Sequence, residues 1–72
     1  MRKNDIILTN KIFKLLDVLS FKEKGFIIQA ILEWRKNQPN IIDSTTINEG
    51  NPLLYGVWTE IKKDLEEQVN AN

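Results

Sequence analysis

The chain contains no cysteine and no histidine, only two prolines and three glycines, and no net charge. Each shortage excludes something. Without cysteine there is no disulfide framework, and without cysteine or histidine the usual zinc ligand sets are missing. No apolar run approaches the roughly 18 residues that a membrane span requires. The opening "MRKNDIILTN" is basic, but its apolar part, Ile6 to Leu8, is too short for a signal-peptide core, so a cytoplasmic protein is expected. The glycines stand apart at 25, 50 and 56, which rules out a glycine-rich phosphate loop. The oxygen-rich segment "DSTTINEG" lacks the spacing of a calcium loop.

What remains is an ordinary globular composition, 42% apolar, in 72 residues. A chain of this size buries only about 60% of its unfolded surface. Without disulfide or metal, stability must come from regular helix packing or from association with another chain. Charge is uneven. Residues 1–36 hold eight Lys/Arg against four Asp/Glu, and residues 37–72 hold two against six. Two readings follow: halves that attract on folding or across a dimer, or a basic face for nucleic acid with an acidic face for a protein.

Periodicity predicts a single all-α domain over 1–72, with helices at about 9–19, 21–36 and 52–69 and a loop at 37–51. Thr9 or Asn10 can cap the first helix, whose apolar arc holds Ile12, Phe13, Leu15, Leu16 and Leu19. Ser20 and Glu23 form the S-x-x-E capping box of the second. Gly25, inside its first turns, either admits a close neighbour or is tolerated at a cost of up to ~1 kcal/mol. Pro39 stops that helix near Lys36–Asn37. The loop is long for so small a domain, and Ile41, Ile42 and Ile47 are suited to tether it to the core. Asn51 as N-cap and Pro52 at the first helical position start the third helix. Its seam of Leu54, Val57, Trp58, Ile61, Leu65 and Val69 is the clearest helical period in the chain. Lys62–Glu66 and Lys63–Glu67 lie at i,i+4 on its outer face.

The second helix, "SFKEKGFIIQAILEW", carries more apolar surface than one face can hold. Counting about 100° per residue from Phe26, Ile27, Ala30, Ile31 and Trp34 occupy roughly 40–140°. Phe21, Ile28 and Leu32 form a second patch at roughly 200–240°. The first arc builds a core. A second chain covering the second patch is the simplest use for it, with Phe21, Gly25, Ile28, Leu32 and Trp34 as interface candidates and a homodimer as the favoured assembly. In the competing arrangement, a monomer has this helix at its centre and the loop lying over the patch.

Catalysis would have to rely on carboxylates, lysines, Tyr55 and hydroxyls, most of them on predicted solvent faces, so no enzyme and no cofactor are expected. Lys11, Lys14, Lys22 and Lys24 are the candidates for a basic face. They are spread over two helices with no recognition-helix pattern, so nucleic acid is a possible partner but not the favoured one.

The segments "LDVLSFKEKGFIIQAILEW" and "NPLLYGVWTEIKKDLEE" resemble a group of small helical phage and prophage domains of unknown function, some of which begin phage replication-associated proteins. The likeness spans about residues 12–67. It rests on Leu19-Ser20, Glu23 near Gly25, the run Ala30–Trp34, and Trp58 with Ile61-Lys62. The segment "DSTTINEGN" is longer than that group's usual loop. The resemblance implies a helical interaction or assembly module of phage or mobile-element origin, with a phage or host protein as partner. A reading of a different class is a small phage-encoded inhibitor that occupies a host protein's surface through the acidic face of helix three or the long loop. It carries over no catalytic residue.

Overall fold

A computed structural model describes residues 5–43 and 50–70, and among these the chain forms three α-helices and one 3-10 turn, with no strand. Helix α1 spans Asn10–Asp17 and starts where Thr9 Oγ1 accepts the amide of Ile12 at 3.3 Å. It ends before the expected residue 19. Ser20 must adopt extended backbone to cap the next helix, so the chain turns at Val18 and Leu19 and drops the Leu19 side chain into the core.

Helix α2 spans Phe21–Arg35. Both halves of its capping box form: Ser20 Oγ accepts from the Glu23 amide at 3.2 Å, and Glu23 Oε1 from the Ser20 amide at 2.9 Å. Its far end closes in a Schellman motif. Asn37 takes the left-handed conformation at φ 57°, its amide donates to the Trp34 carbonyl, and the Gln38 amide donates to the Glu33 carbonyl. Asparagine tolerates that conformation better than most residues, which makes it an effective stop just ahead of Pro39.

The loop carries a turn of its own. Ile41–Asp43 form the 3-10 turn, fastened to α2 from both sides. Asn40 donates to the Ala30 carbonyl at 2.9 Å and accepts from the Ile42 amide, while Glu33 Oε1 accepts from the Ile41 amide at 2.8 Å. The turn thereby pushes Ile42 into the core and leaves Ile41 half-buried against it. Ile47, the third expected tether, lies outside the described residues.

Helix α3 spans Pro52–Asn70, with Asn51 Oδ1 accepting the Leu54 amide at 3.1 Å as its N-cap. Leu54, Val57, Trp58, Ile61 and Leu65 are buried along one stripe. They pack with Ile12, Leu19, Ile27, Ala30, Ile31, Trp34 and Ile42 into a single cluster. α3 packs against α1, α2 and the turn, whereas α1 and α2 meet only slightly. The third helix, not the second, is therefore the central one. Phe13 differs from expectation as well: α1 turns Ile12 inward and leaves Phe13 half-exposed.

Candidate docking surface on the second helix

α3 covers one side of α2 and the turn covers another, which leaves a third side open. Phe21, Gly25, Ile28 and Leu32 recur at spacings of four, three and four, so they fall within about 60° of arc on a regular helix. Phe21 is 95% exposed, Ile28 45% and Leu32 40%. Gly25 is also exposed, and a Cβ built on it would meet nothing within 4 Å, so no described element approaches the notch it makes. Trp34, the fifth interface candidate, sits elsewhere. At 8% exposure it belongs to the core, because its position on α2 faces α3 and the turn.

The stripe borders a groove of about 250 Å³ at its C-terminal end, lined by Ile6, Leu8, Ile28, Ile31, Leu32 and Arg35. One wall of this groove is the segment before α1, held by a side chain 61 residues away. The Gln68 amide grips the Ile7 backbone at both polar atoms: Oε1 accepts from the Ile7 amide at 2.8 Å, and Nε2 donates to the Ile7 carbonyl at 2.8 Å. Asp64 steadies the clamp, accepting from Gln68 Nε2 at 2.9 Å and from the Thr9 hydroxyl at 3.2 Å. The residues on either side of the clamped Ile7 turn their side chains the other way. Here Ile6 and Leu8 line the groove, while Ile7 is exposed. The apolar triplet was a visible signal, but its anchor at Gln68 was too distant in sequence to read.

Charge around the stripe is of one sign. Lys24 and Arg35 flank it on one side, Lys22 and Lys36 on the other. None of the four is paired with a carboxylate among the described residues. The two acidic residues of α2 are engaged elsewhere. Glu33 holds the 3-10 turn. Glu23 holds the Ser20 amide, and its second oxygen accepts from Asn51 Nδ2 at 2.6 Å. The Ser20 amide foremost, then the Asn51 side chain, lower the Glu23 pKa below its ordinary value. One carboxylate thus joins the N-caps of α2 and α3 and fixes the end of α2 that carries Phe21.

The four lysines considered as a basic face are not gathered. Lys11 lies 3.9 Å from Glu60 on α3, Lys14 is on another turn of α1, and Lys22 and Lys24 point to opposite flanks of α2. A second depression, of about 390 Å³, lies between the turn and α3, where Trp34, Asn40, Asp43, Trp58, Lys62 and Glu66 meet. The buried Trp58 Nε1 at its wall has no hydrogen-bond partner among the described residues. Among the described residues, no group of acidic side chains is arranged to hold a metal ion, and no helix is long and apolar enough to cross a membrane.

The fold and its surface define a small all-α domain with one open apolar helix face. No protein-family model matches the chain, and neither a curated protein nor a solved structure matches it.

Proposed function

We propose that the protein is a non-enzymatic protein–protein interaction module and that the outer stripe of α2 is its docking surface. The observation that carries this reading is the line of Phe21, Ile28 and Leu32, left open on a helix whose every other apolar position is built into the core or packed against it. Fully burying a large apolar side chain is worth about 1.5–3 kcal/mol. Covering what these three still expose supplies roughly 3–5 kcal/mol on this side of an interface, before the cost of association. The groove and the flanking cations add to that.

The phage-domain resemblance adds a phage or mobile-element origin to the proposal. Both a second copy of the chain and a protein of the host or phage are compatible with an apolar stripe, and the flanking charges bear on that choice. The scattered lysines argue against a nucleic-acid groove, since phosphate contacts gain most from cations aligned on one face.

The test is a selection of helix-forming peptides displayed on phage against the purified protein. Isolates are counter-screened on Ile28→Asp/Leu32→Asp, whose fold is verified by circular dichroism. Both positions are already partly in water, so the variant should keep its helicity. Isolates that lose at least about tenfold in affinity on the variant support the reading. If no isolate depends on the stripe, the docking surface is refuted.

A further inference from the structure

Building on that docking surface, we propose that its occupant is an amphipathic helix of another protein whose apolar seam is flanked by acidic side chains, rather than a second copy of this chain. The spacing of Phe21, Gly25, Ile28 and Leu32 is that of a coiled-coil seam, and the natural complement of such a seam is another helix. The line runs about 16 Å along α2, three turns, long enough to fix a partner's direction. Gly25 leaves a notch at which a partner side chain seats close to the α2 backbone. Two turns on, the groove beside Leu32 takes one bulky apolar side chain from the partner.

Charge selects among the occupants. In helix pairs, the residues flanking the seam set which partner is accepted and which is repelled. Here the flanks are Lys22, Lys24, Arg35 and Lys36, with no carboxylate paired to any of them among the described residues. Asp5, beyond the groove wall, makes no ion pair with them either. Glu23 and Glu33 are held by backbone and side-chain donors away from the seam. Two copies of α2 facing each other, parallel or antiparallel, would oppose cation to cation along both flanks, which is costly at a desolvated interface. A helix with glutamate or aspartate flanks meets four cations that no described carboxylate pairs. An anionic membrane surface would also answer the charge. Interfacial helices, however, immerse a broad, convex apolar face, and this stripe is narrow and borders a concave groove.

The probes are two synthetic helical peptides of about 18 residues, long enough to span the seam. Both carry leucine at seam positions, one with glutamate flanks and one with lysine flanks. Affinities are measured by fluorescence anisotropy on wild type, on Ile28→Asp/Leu32→Asp and on Lys24→Glu/Arg35→Glu. The glutamate peptide should bind at least tenfold more tightly than the lysine peptide, with the preference reversed on Lys24→Glu/Arg35→Glu and weakened by salt. Equal binding of both peptides, lost on Ile28→Asp/Leu32→Asp, overturns the acidic occupant but leaves the docking surface standing. Binding of neither peptide, or binding indifferent to Ile28→Asp/Leu32→Asp, overturns both. A dimer at tens of micromolar by light scattering that Ile28→Asp/Leu32→Asp dissolves assigns the stripe to a second copy. Stripe-dependent binding to phosphatidylserine vesicles in place of the peptide assigns it to a membrane. Either of these last results overturns the inference.

Discussion

Replacing Ile42 by alanine tests the most consequential packing decision in the molecule. Ile42 has no exposed surface, although it lies in a connection rather than in a helix. Its turn cannot collapse onto a smaller side chain. Asn40 bonds to the Ala30 carbonyl, and Glu33 holds the Ile41 amide, so the backbone stays where the isoleucine put it. The cavity therefore persists, and the loss should fall near the middle of the 2–5 kcal/mol range for such truncations, about 3 kcal/mol. A chain of this length has roughly 4–11 kcal/mol of total stability, so one side chain commands a large fraction of it. At about 4–8 °C per kcal/mol for small domains, the melting temperature should drop by roughly 12–24 °C. The assay is thermal and urea unfolding followed by circular dichroism, with Ile41→Ala as the half-buried control at about 1 kcal/mol. A loss for Ile42→Ala no larger than for the control would refute the reasoning. The turn would then be a flap laid on the α2–α3 core rather than part of it.

Trp58→Phe should cost less than about 1.5 kcal/mol in urea unfolding, because relief of the unpartnered indole N–H offsets lost volume, whereas Trp58→Ala should cost about 3–5 kcal/mol. Equal losses for the two would mean that the N–H is satisfied after all. Glu23 contributes stability that is fully present above the ordinary carboxylate pKa of about 4.3 and is lost as pH falls through its lowered folded value. Melting temperature should therefore decline on acidification below about pH 5 in wild type, and less steeply in Glu23→Gln, which keeps a capping side chain. Parallel profiles would remove Glu23 from the acid response. Gln68→Ala should cost about 1 kcal/mol and abolish hydrogen-exchange protection of the Ile7 amide, leaving the α3 amides protected. Retained protection at Ile7 would show that Ile6 and Leu8 hold the segment without the clamp.

The helices were legible because their signals are local. The capping box at Ser20 and Glu23, the Asn51-Pro52 start and the seam from Leu54 to Leu65 each lie within a few turns of what they specify. The division of α2 into a core arc and an outer patch was legible for the same reason. Which helix is central was not. It depends on α1 packing against α3 rather than α2, and no helical period encodes a partner. Trp34 fitted both the core arc and the interface set, and it was drawn inward by a turn whose fastening, through Asn40 and Glu33, no periodicity reveals. Side-chain charge pairs were also a poor guide. Lys11 and Glu60 approach across two helices, whereas Lys62–Glu66 and Lys63–Glu67 do not form ion pairs.

The two fastenings around the connection between α2 and α3 have an evolutionary consequence. Ile42 anchors the chain on one side, and Asn51, tied to Glu23, anchors it on the other. Each end of the connection is thus fixed by its own packing or hydrogen bonds. Lengthening such a span costs only about 0.6 kcal/mol for each doubling. An insertion directly after Asp43 should therefore cost the fold little, because both anchors lie outside it. Related chains should diverge there first, and an engineer who wishes to graft a peptide or a label onto this domain should begin there.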